Sequence, residues 1–256
     1  MHIDILIPFL AIIALATYFQ TITGFGMGMI VMGATSGLEL LSVATIATTI
    51  SLLSLANCAV AMPGTLHHIN WRTTRIVVYG IVPSVIGGVL LLNYLGSSAS
   101  NIVKLALGLV IIYSGLSTLL KVTASEQPLS KHSYFLSGLF SGIFSGMFGI
   151  SGPPLVYQFY RQKMDLATIR YSLIFLFSIT AGIRTLFVAA RGGLNVEVLA
   201  LSLSALPVVA LATLAGKKYP PPLRHQAMRR ISCLMLIVIG LSLIVSAVQK
   251  MFAATI

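Results

Sequence analysis

The chain alternates between long apolar stretches and short polar breaks. The apolar segments cover residues 5–34, 40–62, 76–95, 102–120, 133–160, 171–190, 196–216 and 231–250. A helix needs roughly 20 apolar residues to cross a bilayer, and each segment is about that long or longer. The pattern therefore predicts an all-α integral membrane protein whose polar breaks form loops at the membrane surfaces.

Glycines interrupt the first and the fifth of these segments. The breaks are Thr23–Gly28 (TGFGMG) and Ser145–Pro154 (SGMFGISGPP). Three ordinary spans follow each broken segment, so the chain divides into a repeat at 1–121, a linker at 122–132 and a repeat at 133–256. Corresponding Gly/Pro interruptions in two halves are typical of a transporter binding site. Glycines used only for close helix packing are the alternative.

The positions of the basic residues favour an inverted relation between the two halves. If every segment crossed once, Lys and Arg would be only weakly biased between the two sides of the membrane. If each broken segment is a hairpin that enters and leaves on one side, twelve of the 16 Lys and Arg share a side, in loops 63–75, 121–132, 161–170 and 216–230. Basic loops face the cytoplasm, which places the N-terminus outside.

We therefore predict two inverted repeats, each made of a Gly-broken helical hairpin and three transmembrane helices. The competing interpretation takes segment 133–160 as one long tilted span. A broken helix is tolerated in a membrane only where protein or a water-filled cavity surrounds it. Two hairpin tips that meet near the midplane would build such a cavity.

Composition supports the membrane assignment and argues against both a soluble domain and a nucleic-acid-binding protein. The chain is 57% hydrophobic and 8% charged, whereas soluble domains carry about 25% charged residues. The net charge of +11 comes from basic residues spread through short loops, so it does not indicate nucleic-acid binding. Cys58 and Cys233 lie within apolar segments, and the Cys and His spacing offers no metal site. We expect neither a metal nor a cofactor.

The two breaks are the predicted binding region for a small anion. Each break is followed by a new helix start, and helix N-termini attract anions through free N–H groups and partial positive charge. Neighbouring hydroxyl and amide groups would add hydrogen bonds, unless they bond back to their own helix. The candidate residues are Gln20, Thr21, Thr23, Gly24, Gly26, Gly28, Asn57, Ser145, Gly149, Ser151, Gly152, Pro153 and Arg184.

Arg184 is the clearest single candidate. It lies within the segment 171–190, and no carboxylate lies within a predicted span to pair with it. A charge there is costly unless it faces a cavity or a partner, and an anionic substrate would supply that partner. Snorkelling toward the surface near Arg191 is the alternative. Because no Asp or Glu stands within a span to relay protons, a channel or uniporter also remains open.

The second break carries a resemblance to a known family. The run Gly142–Pro154 (GIFSGMFGISGPP) resembles the motif of the TauE/SafE family, also called TSUP. Gly149, Gly152, Pro153 and Pro154 match it, whereas Ser151 stands where another glycine is common, and the first break lacks the terminal proline. The resemblance covers essentially the whole chain. It implies a non-enzymatic carrier of sulfite, sulfonates or sulfoacetate in the bacterial inner membrane.

Two further classes compete with the carrier. The sequence Gly149–Gly152 (GISG) matches the GxSG pattern of intramembrane serine proteases, which need a general base beside the serine. No histidine falls within a later span. A membrane accessory protein without transport would have little use for two broken helices. The sequence leaves open the anion, the ion coupling and whether the protein forms a homodimer in the lipid bilayer.

Overall fold

The computed structural model describes residues 3–37, 41–95 and 130–219 apart from Lys163, together with isolated positions in 105–116 and 234–248. All regular elements in this described part are helices. They are α1 Ile3–Thr23, α2 Met27–Gly37, α3 Val43–Ala61, a 3₁₀ turn Leu66–His68, α4 Trp71–Leu95, α5 Lys131–Phe148, α6 Gly152–Tyr160, α7 Leu166–Ala190 and α8 Val196–Lys218. The predicted all-helical fold is confirmed.

Five of the described helices are long and apolar enough to cross a membrane: α1, α3, α4, α7 and α8. The predicted spans 102–120 and 231–250 and most of the linker 122–132 lie outside the described residues. The two glycine-broken segments each appear as a longer helix followed by a short one, α1 with α2 and α5 with α6. The inverted relation between the two halves stays a prediction.

Side-chain caps fix where four of these helices begin. In each case an oxygen of the capping side chain accepts the backbone N–H three residues later, which satisfies one of the free donors of the first turn. The capping residues are Ser42 for α3, Ser130 for α5, Asp165 for α7 and Asn195 for α8. The polar breaks between apolar segments therefore act as start signals for the next helix.

Helices α4 and α5 pack together through glycines. Gly138, Gly142 and Gly146 of α5 lie four residues apart, and a Cβ atom added at any of them would collide with α4. The α4 carbonyl groups that they face are also four residues apart, at Val77, Ile81 and Val85. Because residue numbers rise together along both helices, α4 and α5 run parallel and begin at the same end of the molecule.

The short helix α6 folds back along α5. The Gln158 side-chain amide near the end of α6 donates to the Ser133 hydroxyl near the start of α5, over 2.7 Å. The rings of Tyr134 and Phe159 also meet edge to face, with centroids 6.3 Å apart. Consequently α5 begins and α6 ends at the same end of the molecule, with the break at the opposite tip.

Basic residues are concentrated at the end where α4 and α5 begin. The start of α7 lies there too, because the Asn70 N–H donates to the Ser172 hydroxyl. The end of α8 lies against the end of α3, where the Lys217 ammonium donates to the Ala61 carbonyl oxygen. The described basic residues at this end, called the basic end below, are Arg72, Arg75, Lys131, Arg161, Arg170, Lys217 and Lys218.

Candidate functional site

The two breaks end their helices in the same way. Gly24 and Gly149 both have a left-handed backbone, with φ of 85° and 69°. Each donates its N–H to the carbonyl four residues earlier, Gly24 to Gln20 and Gly149 to Ser145, over 2.7 and 2.8 Å. This is the αL helix cap that favours glycine, because a side chain at positive φ is strained. The chain can then turn and start a new helix inside the protein.

The two breaks also touch each other. A Cβ atom on Gly28 would lie 2.7 Å from the Gly149 carbonyl oxygen, and one on Gly149 would lie 3.0 Å from the Ala47 carbonyl oxygen. Backbone therefore packs directly on backbone where α2, α3 and the second break meet. Glycine is required at both positions for this contact, and at Gly149 also for its left-handed backbone.

A polar cavity, called the central cavity below, lies between the two breaks and has a volume of about 20 Å³, which is room for one water molecule. The lining residues are Gln20, Gly26, Gly28, Met29, Ser51, Ser54, Ser145, Gly149, Ile150, Ser151, Gly152, Phe177, Thr180 and Ala181. Seven of the predicted residues are therefore brought together there: Gln20, Gly26, Gly28, Ser145, Gly149, Ser151 and Gly152. No carboxylate is among the lining side chains.

Hydroxyl groups supply most of the polar character of the central cavity. The hydroxyls of Ser151 and Thr180 share a hydrogen bond of 2.7 Å, and Ser141 donates to the Ser151 carbonyl oxygen. The hydroxyls of Ser54 and Ser145 line the cavity, and the described residues provide no hydrogen-bond partner for either one. These two groups are available to a ligand.

The helix starts contribute fewer backbone donors than two ordinary N-termini would. In α6, Pro153 and Pro154 have no N–H, so Gly152 supplies the free donor of the first turn. In α2, the Met27 N–H already donates to the Gln20 side-chain oxygen over 3.1 Å. The partial positive charge of both helix starts remains directed at the cavity. Of Pro153 only the backbone is described.

Asn57 and Thr21 lie outside the central cavity, in a hydrogen-bond network that joins three helices. The Asn57 amide donates to the hydroxyls of Thr21 and Thr213, over 3.1 and 2.8 Å, and its oxygen accepts from Gln20 over 3.1 Å. Asn57 is fully buried. Since these groups satisfy one another, the network positions Gln20 and ties the end of α1 to α3 and α8.

Thr23 and Gly24 lie on the side of the first break that faces away from the central cavity. The Thr23 hydroxyl donates to the Phe19 and Phe25 carbonyl oxygens, so it caps the end of α1. A Cβ atom on Gly24 would lie 2.8 Å from Cα of Arg170, so the break packs on the first turns of α7. Neither residue lines the central cavity.

Arg184 lies beside the second break and is only 1% exposed. Its Nε donates to the Gly146 carbonyl oxygen over 3.1 Å, and its Nη1 donates to the hydroxyls of Thr48 and Ser51, over 3.1 and 3.5 Å. All of these partners are neutral. The guanidinium therefore caps the end of α5 while its positive charge has no carboxylate partner among the described residues that contact it.

A second cavity, called the vestibule below, begins at Arg184. It has a volume of about 200 Å³ and lies at the end of the molecule opposite the basic end, where α3 and α8 begin and α4 and α7 end. Its lining residues are Ala44, Thr45, Thr48, Val89, Leu92, Asn93, Arg184, Val188, Arg191, Gly193, Asn195 and Val198. Ser51, which accepts from Arg184, lines the central cavity instead.

Several lining residues of the central cavity escaped the sequence analysis. Ser51 and Ser54 lie on α3, and Phe177, Thr180 and Ala181 lie on α7, away from both glycine motifs. Thr180 and Ala181 could have been found from their spacing, because they precede Arg184 by about one turn and therefore lie on the same helix face. No group of three or more His, Cys, Asp or Glu able to hold a metal occurs within the described ranges.

Helices of this length and a polar cavity between two broken helices define a multi-pass membrane protein of the transporter class. The chain belongs to the sulfite exporter TauE/SafE family, whose model matches residues 9–243. It is 50% identical over 252 residues to a protein of Cupriavidus necator named "Probable sulfite/organosulfonate exporter TauE", covering 97% of this chain and 98% of that protein. No solved structure matches the chain. The resemblance seen in the second glycine motif is thus confirmed.

Proposed function

We propose that the protein is a secondary transporter that exports sulfite or a small organosulfonate, with sulfoacetate in the same class, and that the central cavity widens to hold the anion. The observation that carries the proposal is the lining of this cavity: two helix starts and several hydroxyl groups converge on it without a carboxylate. An oxyanion accepts hydrogen bonds from such donors and is attracted by helix N-termini.

The two free hydroxyls give the proposal its most specific contacts. Ser145 precedes the second break on α5 and Ser54 lies on α3, so they reach the cavity from different helices. The three oxygens of a sulfite or sulfonate group accept hydrogen bonds in several directions, which suits donors that approach from separate elements.

The concentration of Lys and Arg supports an orientation in the bacterial inner membrane. We infer that the basic end faces the cytoplasm, because positively charged loops are retained there. The chain then begins on the periplasmic side, and the vestibule opens to the periplasm. An anion that leaves the central cavity past Arg184 would move outward.

The serine protease alternative gains no support from the surroundings of Ser151. Its hydroxyl pairs with the Thr180 hydroxyl, which is not a general base. Of the described histidines, His67 and His132 are exposed, and His68 is half-buried and stacked on Tyr171. The channel and uniporter alternatives differ from an exchanging carrier by their kinetics, so the transport assay must separate them.

The test is flux of radiolabelled methanesulfonate and sulfite in proteoliposomes. We expect saturable flux that unlabelled anion on the opposite side accelerates, since a carrier exchanges whereas a channel does not. Ser145→Ala and Ser54→Ala should each raise the half-saturating concentration about tenfold, because a hydrogen bond to a charged group contributes about 1.5–3 kcal/mol.

Ser204→Ala is the matched control, since the Ser204 hydroxyl donates to the Leu201 carbonyl oxygen of its own helix and lines neither cavity. It should leave the half-saturating concentration unchanged. Absence of methanesulfonate and sulfite flux in the intact protein would overturn the proposed function. Flux that is unaffected by both cavity substitutions would remove the anion from the central cavity.

A further inference from the structure

Two arginines, Arg184 within α7 and Arg191 directly after it, line the vestibule from its inner end to its rim. Arg184 is buried at the inner end, whereas Arg191 is exposed where α7 ends. They are seven residues apart, which is two helical turns or about 10 Å along the axis. The Arg191 guanidinium lies over the Phe187 ring, 4.9 Å from its centroid, which holds it at the mouth.

The remaining lining mixes polar and apolar side chains and contains no carboxylate. Asn93 is exposed on α4, Thr45 lies in the first turn of α3, and Asn195 caps α8. The starts of α3 and α8 border the vestibule, and so do the ends of α4 and α7, so the partial charges of the helix ends offset one another and the two arginines supply the positive charge. A cavity of one charge sign concentrates ions of the opposite sign.

The Arg184 guanidinium separates the vestibule from the central cavity. One of its nitrogen atoms, Nη1, donates both to Thr48, which lines the vestibule, and to Ser51, which lines the central cavity. A buried guanidinium whose contacts are all neutral is costly, and an anion on either side of it would supply the missing opposite charge. Arg184 therefore lines the vestibule directly and reaches the central cavity through Ser51.

We propose that the vestibule is a second binding site for the transported oxyanion, held between Arg184 and Arg191 after it leaves the central cavity. This inference rests on the proposed function. An anion in the vestibule is bound by two guanidinium groups, whereas one in the central cavity is bound mainly by hydroxyl groups. The second site gives the anion a stable position on its way out.

The test uses a cysteine placed in the vestibule. Asn93→Cys is made in a protein that also carries Cys58→Ser and Cys233→Ser, and a membrane-impermeant thiol reagent is applied to membrane vesicles from the vestibule side. Methanesulfonate is the probe, because unlike sulfite it does not react with thiol reagents, and gluconate at equal ionic strength is the reference. We expect methanesulfonate to slow labelling about tenfold when its concentration is about tenfold above its dissociation constant.

Arg191→Gln should abolish this protection, whereas Arg72→Gln should preserve it. Both substitutions remove one exposed positive charge, but Arg72 lies at the basic end. Protection that persists in Arg191→Gln, equal protection by gluconate, or a cysteine that the reagent cannot reach would each overturn the second site.

Methanesulfonate flux in the same vesicles separates this inference from the proposed function. Saturable flux without protection would refute the second site and leave the transporter in place. Protection without flux would support an anion site in the vestibule and refute transport of this anion.

Discussion

At the scale of single residues, Arg184 shows what a sequence can and cannot predict. A charge inside an apolar segment without a carboxylate nearby predicts a buried cation that needs a partner. The sequence does not reveal that Arg184 caps α5 through the Gly146 carbonyl, 38 positions earlier. That carbonyl is free because α5 stops at Phe148, so no helical N–H follows to reach it.

Arg184→Gln separates the capping role from the anion-binding role. Glutamine keeps an N–H donor for the Gly146 carbonyl but removes the positive charge. We expect the thermal midpoint in detergent to fall by only a few degrees, since the cap is kept and the lost Nη1 hydrogen bonds to Thr48 and Ser51 are worth about 1 kcal/mol each. Methanesulfonate flux should fall at least about tenfold, because a hydrogen bond to a charged group contributes about 1.5–3 kcal/mol.

Arg75→Gln is the comparison, since it removes an exposed charge at the basic end. It should alter neither the midpoint nor the flux appreciably. A variant at Arg184 with a much lower thermal midpoint and undiminished flux per folded molecule would show that the arginine serves only as a helix cap.

Asn57 and Thr21 mark another limit of sequence analysis at this scale. Both are polar residues in apolar segments, so the sequence predicts that they bind the substrate. The structure instead pairs them with each other and with Thr213, which is 156 positions from Asn57 in the chain. Whether a buried polar group is free or already paired depends on such long-range neighbours, which local spacing does not encode.

At the scale of helices, the positions of the two breaks could be predicted from the sequence, whereas the lengths of the helices on either side of each break could not. Left-handed glycines at Gly24 and Gly149 lie inside the two predicted glycine motifs, since few other residues accept that backbone. Helix α1, however, has 21 residues and is long enough to span the membrane, whereas α2 has 11. The two helices of the first broken segment therefore differ in length and are not two half-length helices.

The contact between α4 and α5 was visible in the sequence but was not recognised there. Gly80, Ser84 and Gly88 repeat every four residues on α4, as Gly138, Gly142 and Gly146 do on α5. Small residues at this spacing let membrane helices approach until their backbones touch. The glycines predicted to line the site all lie in the two breaks, whereas Gly80, Gly88, Gly138 and Gly142 lie outside the breaks and serve helix packing.

Gly138→Ala tests this packing at one position. A methyl group there would collide with the Val77 carbonyl oxygen, so α4 and α5 must separate. We expect a loss of about 1–3 kcal/mol in stability, as for other overpacked interiors, measured as a lower thermal midpoint in detergent. Gly87→Ala is the control, because a Cβ atom on Gly87 meets open space and alanine is the better helix former. Equal midpoints for the two variants would contradict close backbone packing.

At the scale of the whole molecule, the two cavities and the charges lie along one axis. The basic residues collect at one end, the vestibule opens at the other, and Arg184 lies between the vestibule and the central cavity. The charge bias was predictable, because loop composition alone determines it. The vestibule was not, since it is lined by the ends of four helices that are far apart in the chain.

The orientation of this axis decides the direction in which the vestibule serves transport, and two exposed residues can measure it. Leu66 is 53% exposed at the basic end and Val196 is 82% exposed at the start of α8. Neither carries a charge, so replacing each with cysteine, in a protein with Cys58→Ser and Cys233→Ser, leaves the charge bias intact. We expect an impermeant maleimide to label Val196→Cys in right-side-out vesicles and Leu66→Cys only in inverted ones, because basic loops stay in the cytoplasm. The reverse pattern would make the vestibule the cytoplasmic entrance, so the anion would meet Arg191 and Arg184 before the central cavity.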